Sequence, residues 1–235
     1  MNKTKLEKFL YYFVLATLVA SIVFIIIRII YAPVYSDSEA VRTKSSYTLM
    51  LVQCILGVFA LHLPDIFERR FSRDIPSLMV ILYIIFLYGA IYLGEVKSYY
   101  YTVKNWDTIL HTFSGGMLGA LGFSIITLLN RTEKIPMDLS PFFVCLFAFC
   151  FAITIGVFWE FYEYAFDGIL GLNMQKFMLE DGTQLVGRAA LSDTMEDLFV
   201  DAVGAFVMCT IGYISIKYKG KMMDMLHFSK IDDKK

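Results

Sequence analysis

Six long apolar stretches constrain this chain more than any other feature of its sequence. A helix needs roughly 20 apolar residues to cross about 30 Å of hydrocarbon, and each stretch comes close to that length. The composition agrees, because 57% hydrophobic and 18% charged residues are too apolar a mixture for an ordinary soluble domain. The sequence therefore predicts an all-α polytopic membrane protein, a bundle of six transmembrane helices in a single domain. The predicted helices span about 9–30, 47–64, 77–94, 107–129, 141–164 and 194–216.

The ends of these stretches carry the expected helix-breaking residues. All five prolines lie at or outside an end, where a missing backbone N–H does least harm. The first stretch follows three lysines, as in a signal peptide, but it is about twice the usual length and lacks a convincing cleavage site. We therefore interpret it as a retained first helix.

The basic residues predict the orientation of the helices, because cytoplasmic loops are enriched in Lys and Arg. If the N-terminus is cytoplasmic, fourteen of the 21 basic residues lie on that side, several of them in the C-terminal tail. Both termini are therefore predicted to be cytoplasmic. This orientation places the start of the fourth helix, the end of the fifth and the start of the sixth on the outer side.

Acidic and histidine side chains cluster in the outer halves of the last three predicted helices. Charge in hydrocarbon is costly, so such residues are functional-site candidates by default. Spacings of three or four residues place them on one face of each helix. The clusters are Asp107 with His111, then Glu160 with Glu163 and Asp167, and then Asp193 with Asp197 and Asp201.

These clustered side chains predict a binding site for a divalent metal ion. Carboxylates on one stripe repel each other and need a cation, protons or basic neighbours. Oxygen ligands with one imidazole suit Mn²⁺, Fe²⁺ or Zn²⁺, and Mg²⁺ if the histidine is not a ligand. The predicted ligands are His111, Glu160, Glu163, Asp197 and Asp201. The predicted supporting residues, outside the coordination sphere, are Asp107, Asp167 and Asp193.

Three of these acids also have purely structural interpretations. Asp107 could cap the start of its helix, and Asp167 could be an exposed helix end within an aromatic belt at the membrane interface. Asp193 could be an N-cap whose capping box is completed by Glu196. Asp197 and Asp201 lie too deep in the sixth stretch for that explanation.

Other residues near the clusters complete the predicted site. Glu163 and Asp201 are candidates for a general base, and Arg188 could orient an anionic substrate group. The connection over 165–193 is long enough to act as a lid and to carry a short interfacial helix. Small residues along the fourth helix predict close helix packing; they are Gly115, Gly116, Gly119 and Gly122.

The order of these motifs resembles the YjdF-type bacterial inner-membrane family. The residues that carry the resemblance are Asp107-xxx-His111, Gly156-xxx-Glu160-xx-Glu163, Arg188 and Asp197-xxx-Asp201-xx-Gly204. The pattern is also similar to the wider VanZ-like one, from which the chain departs by having Glu163 and Asp201 where amides would stand. The resemblance covers about 106–204. It implies a bacterial plasma-membrane location and a role in the cell envelope, where VanZ-like members are associated with glycopeptide resistance.

Three functions agree with these features. The preferred one is a metal-dependent hydrolase or transferase that acts at the outer leaflet on a lipid or a lipid-linked envelope precursor. The second is a cation or proton transporter, although no matching acids are visible in the inner halves of the helices. The third is a non-catalytic resistance or immunity protein that binds an amphiphile. Membrane lipids are the expected partners, and no nucleic-acid-binding motif is present.

Overall fold

The computed structural model describes residues 3–34, 42–130, 139–179, 183–218 and 228–230. Nearly all of these residues are helical, and six helices are long and apolar enough to cross a membrane. The predicted all-α class and the number of spans are confirmed. The helices are α1 (Lys5–Tyr31), α2 (Lys44–Leu61), α3 (Leu63–Phe71), α4 (Ser77–Leu87), α5 (Tyr99–Thr102), α6 (Trp106–Asn130), α7 (Pro141–Leu170) and α8 (Arg188–Lys217).

Two features of the fold are not regular α-helix. A π-helical segment, Tyr88–Val96, continues α4 to the end of the third span. Two short strands, β1 (Arg73–Asp74) and β2 (Ser229–Lys230), pair antiparallel and join the start of α4 to the chain that follows α8. The strands therefore lie at the end of the molecule opposite to the starts of α6 and α8.

The helices of the N-terminal half pack around their own apolar core. Leu18 and Ile25 of α1, Cys54 of α2 and Ile84 of α4 are buried there. Phe86 stacks on Phe113 of α6, so that α4 joins this half to the helices that carry the acidic clusters.

The helices α6, α7 and α8 form a second, closely packed unit. Gly204 of α8 lies against the backbone of Thr112, and a Cβ added to Gly122 would approach the Cα of Ala148 in α7 to 2.8 Å. Such close approaches are possible only where one partner lacks a side chain. The predicted small-residue packing of the fourth span is confirmed.

The helices α7 and α8 extend further than the sequence predicts. The helix α7 runs six residues past 164 to Leu170 and is capped by Gly171, whose φ of 64° is the left-handed conformation that glycine adopts at helix ends. The helix α8 begins at Arg188 rather than at 194. Asp193 therefore lies inside α8, and the prediction that it is an N-cap was wrong. The apolar stretches gave helices that are too short because the last turns of α7 and the first turns of α8 carry polar residues.

The connection between α7 and α8 is shorter than predicted. Its described parts are 171–179 and 183–187, and 180–182 lie outside the described residues. Leu185 N–H donates to the carbonyl oxygen of Phe177, and Leu179 N–H donates to that of Thr183. The described parts thus form a small hairpin and contain no helix, contrary to the expected interfacial helix.

Candidate metal centre

The imidazole of His111 lies at the centre of the acidic clusters. It is buried in the first turns of α6, with 8% of its surface exposed. Its Nε2 lies 3.6 Å from Asp107 Oδ1 and 3.9 Å from Asp197 Oδ2, and its Nδ1 lies 3.4 Å from Asp201 Oδ2. One imidazole is therefore surrounded by carboxylates from two helices.

The two ring nitrogens face different environments. Asp201 accepts from His111 Nδ1 and, through its other oxygen, from the hydroxyl of Ser114 at 3.1 Å. A carboxylate that accepts from one imidazole nitrogen fixes the tautomer and leaves the lone pair of the other nitrogen available to a metal. This arrangement favours Asp201 as the residue that orients His111, with Nε2 as the ligand atom.

Asp107, His111 and Asp197 form the most compact group of possible ligands. Each offers one atom, and the three atoms lie within 4.8 Å of one another. Bonds of about 2.0–2.2 Å to a common ion would require only a modest contraction of these separations. Geometry thus favours Asp107 as a ligand and Asp201 as a support, the reverse of the division expected from sequence; both assignments remain predictions.

Glu160 has a buried oxygen without a hydrogen-bond partner among the described residues. The side chain sits on α7 with 4% exposure, and its Oε1 is the atom left unpaired. Its Oε2 lies 3.5 Å from the amide nitrogen of Gln175, and the carboxylate interacts electrostatically with His111. An unpaired buried carboxylate oxygen is costly, which is independent evidence that a ligand or a proton belongs at this position.

The two other acids of α7 have different surroundings. Glu163 accepts from the indole N–H of Trp159 at 2.9 Å and interacts electrostatically with Glu160 and Asp107. Asp167 accepts from the backbone N–H groups that begin the connection, those of Met174 and Gln175. Asp167 is therefore buried, not the exposed helix end that was one expectation, and it anchors the connection rather than facing His111.

The connection places a lysine beside the site. The ammonium of Lys176 donates to Asp107 Oδ2 at 2.5 Å and to Asp193 Oδ1 at 2.6 Å. Burial by itself lowers the pKa of Lys176, but the attraction of Asp107 and the hydrogen bonds to both acids outweigh burial and raise it above its usual value. Lys176 thus brings a positively charged side chain between Asp107 and Asp193.

Arg188 does not join the cluster. It is exposed at the first position of α8, and its guanidinium forms no ion pair with the acids that the structure describes. A role in orienting a substrate stays a prediction, and such a substrate would have to reach outward from the buried acids.

Glu95 and Tyr100 also interact electrostatically with Asp107, and sequence analysis missed both. Tyr100 interacts electrostatically with Asp107, Glu95 and Glu163. Burial and then these acids raise the pKa of its phenol well above the usual value, so that it stays a hydrogen-bond donor. Its ring lies against Gly94 of the π-helical segment, where a Cβ would approach Tyr100 Cζ to 2.8 Å. Glu95, an acid at the end of an apolar stretch, was the available signal, but the π-helical segment that carries it was not visible in the sequence.

Apolar packing closes the bundle beneath the acids. The cluster between the halves of α6, α7 and α8 that lie away from the acids includes Phe123 and Ala148, both fully buried, and Cys209. Cys209 lies two turns beyond Asp201 on α8, or about 12 Å along the axis. The described acids around His111 therefore do not continue into the other half of these helices.

Comparison with known proteins assigns a family. A family profile described as a predicted membrane protein, DUF2238, matches residues 10–218. An uncharacterized protein of Thermotoga maritima is 27% identical over 177 residues, which cover 74% of this chain and 80% of the relative. No solved structure matches.

Proposed function

The chain belongs to the DUF2238 family of predicted membrane proteins, and from the site that it carries we propose that it is a metal-dependent membrane enzyme. The proposed reaction is hydrolysis or group transfer on a lipid or a lipid-linked envelope precursor. The observation that carries this proposal is the compact group of Asp107, His111 and Asp197, buried beside a carboxylate oxygen of Glu160 that has no described partner.

The charge of the site supports a bound cation. Six carboxylates surround one imidazole and one ammonium, and an uncompensated charge in a helix bundle is costly. A divalent ion would offset the excess where the carboxylates are closest. The acids are Asp107, Glu160, Glu163, Asp193, Asp197 and Asp201.

The donor set fits a catalytic ion. One nitrogen and two carboxylate oxygens resemble the three protein ligands of catalytic sites, which leave a position open for water or substrate. A bound metal lowers the pKa of its water and polarises a carbonyl or phosphoryl oxygen. Mn²⁺, Fe²⁺ and Zn²⁺ all accept this mixed set.

The side chains around the proposed ligands would have separate roles. Glu160 is the best-placed general base because its Oε1 is unpaired among the described residues, whereas Glu163 and Asp201 already accept hydrogen bonds. Asp201 and Ser114 would hold the imidazole in position. The phenol of Tyr100, as a neutral donor beside the acids, could bind an oxygen of the substrate.

The position of the site favours an enzyme over a transporter. Transport needs access from both sides in turn, but the apolar cluster around Phe123 fills the bundle beneath the acids. With both termini cytoplasmic, as the basic residues predict, the site opens toward the outer leaflet. A lipid substrate could reach it without entering water.

The resemblance to the YjdF-type family is the basis on which we propose an envelope role. The motifs of the YjdF-type resemblance, Asp107-xxx-His111 and Asp197-xxx-Asp201, are the ones that the fold brings together. The comparisons give no support to the VanZ-like pattern. We propose the bacterial plasma membrane as the location on the strength of this resemblance.

Metal content tests the proposal directly. The purified protein is incubated with Mn²⁺, Fe²⁺, Zn²⁺ or Mg²⁺ in turn, freed of unbound ion, and measured for metal per chain by mass spectrometry. We expect one equivalent of the preferred ion in the wild type and none in His111→Ala or Asp197→Asn. The matched controls are His62→Ala and Asp65→Asn, since His62 pairs with Tyr11 and Asp65 with Lys3 at the other end of the molecule.

Two results would contradict the proposal. Absence of metal from the folded wild type under all four conditions would leave the acids as a protonated or ion-paired network. Equal metal in the wild type and in both site variants would place the ion elsewhere.

A further inference from the structure

The ammonium of Lys176 sits where a cation would be bound by two carboxylates. Asp107 and Asp193 approach it from different helices, at 2.5 and 2.6 Å. The other oxygen of Asp193, Oδ2, is buried and has no partner among the described residues. The position that the Lys176 ammonium occupies therefore has a further hydrogen-bond acceptor, Asp193 Oδ2, to which Lys176 does not donate.

Asp107 lies between the position of the Lys176 ammonium and the proposed metal position. Its Oδ2 accepts from Lys176, and its Oδ1 faces His111 Nε2 at 3.6 Å. One carboxylate thus bridges two cation positions. Two-metal sites use the same arrangement, with ions about 3.5–4 Å apart.

The local backbone conformation places the Lys176 side chain between Asp107 and Asp193. Its φ of 46° is the left-handed conformation, which is uncommon for a residue with a long side chain. The residues before it are fixed by Asp167, which accepts from the N–H groups of Met174 and Gln175. The side chain of Gln175 in turn donates to Thr194 of α8 at 3.0 Å.

We infer that the site has two cation positions and that the ammonium of Lys176 permanently fills the second, beside a single divalent ion held by Asp107, His111 and Asp197. This inference rests on the metal site of the proposed function. The protein's own cation would neutralise Asp193 and the outer oxygen of Asp107, and it would keep a second divalent ion out.

Counting ions in lysine variants tests this inference. We expect one Mn²⁺ per chain in the wild type and two in Lys176→Met and Lys176→Gln, because removal of the ammonium frees two carboxylates. Adding Asp193→Asn to Lys176→Met should return the count to one. Lys176→Arg keeps the charge and should bind one ion, as should Lys104→Met, which removes an exposed lysine just before α6.

The counts separate this inference from the proposed function. One ion in the wild type and one in both neutral variants would overturn the second position and leave the first intact. No Mn²⁺ in any variant would overturn this inference, and it would overturn the proposed function as well only if Fe²⁺, Zn²⁺ and Mg²⁺ also fail to bind the wild type.

The neutral variants remain informative if they fold poorly. A variant that melts early without metal and regains its Tm with Mn²⁺ supports the inference, because the ion replaces the lost ammonium. A variant that Mn²⁺ does not rescue, alongside a stable Lys176→Arg, contradicts it.

Discussion

Two neighbouring glycines of α6 allow a sharp test of the close packing that forms the site. A Cβ added to Gly115 would lie 2.9 Å from the Cα of Asp201, whereas one added to Gly116 would meet nothing nearer than the carbonyl oxygen of Gly204 at 3.6 Å. Ordinary carbon–carbon contact is about 3.5–4.0 Å, so Gly115→Ala must separate α6 from α8 by about 0.6 Å or more.

The two substitutions should have opposite effects on stability. Ala is favoured over Gly within a helix by about 1 kcal/mol, and this gain applies to both positions. Overpacking costs about 1–3 kcal/mol, and here the obstructing atoms belong to the backbone of α8, which cannot rotate away. We therefore expect Gly116→Ala to be neutral or slightly stabilising and Gly115→Ala to be destabilised by up to about 2 kcal/mol.

Metal binding should distinguish the pair more strongly than stability. Ligand distances in a metal site tolerate deviations of about 0.2 Å, and Asp201 is the residue that orients His111 across the α6–α8 contact. The assay is thermal unfolding in detergent, followed by Mn²⁺ titration of both folded variants. We expect weaker binding in Gly115→Ala and wild-type binding in Gly116→Ala. Equal stability and equal affinity in the two variants would refute the packing argument.

Three further predictions concern the surroundings of the site. Asp167→Asn should speed hydrogen exchange at the amide of Gln175 without changing the metal count, and an unchanged exchange rate would contradict the anchoring role. A raised pKa keeps Tyr100 neutral in the folded protein while the unfolded chain ionises, so the free energy of unfolding should fall as the pH rises past the usual tyrosine pKa of about 10. In melting experiments over that pH range, Tyr100→Phe should lose less stability than the wild type. Metal binding should change the fluorescence of Trp159, whose indole bonds Glu163, so Trp159→Phe should remove most of the signal and Trp106→Phe should not.

The sequence was sufficient to predict the membrane helices and the acids that approach one another. Apolar length predicts a span because the bilayer thickness is fixed, and three- or four-residue spacing predicts a shared helix face. Those two rules were enough to place His111, Asp197 and Asp201 on converging faces. They did not indicate which oxygen approaches which nitrogen, because that depends on helix rotation and on the contact at Gly115.

The two rules do not predict the contacts of residues that lie outside the regular helices. Lys176 reaches Asp107 across a connection whose path depends on the two N–H groups that Asp167 accepts. Glu95 lies in the π-helical segment that ends the third span, where it accepts from the side chain of Gln53. Both contacts depend on local backbone geometry, which a single sequence without regular periodicity does not reveal.

The apolar packing beneath the acids makes the site one-sided. With Phe123 and Ala148 filling the bundle from below, whatever enters must leave through the same end. In sealed vesicles of uniform orientation, a membrane-impermeant chelator should therefore strip the ion from one face and leave it bound when added to the other. Supply of metal to this protein would then depend on the ion content of a single compartment.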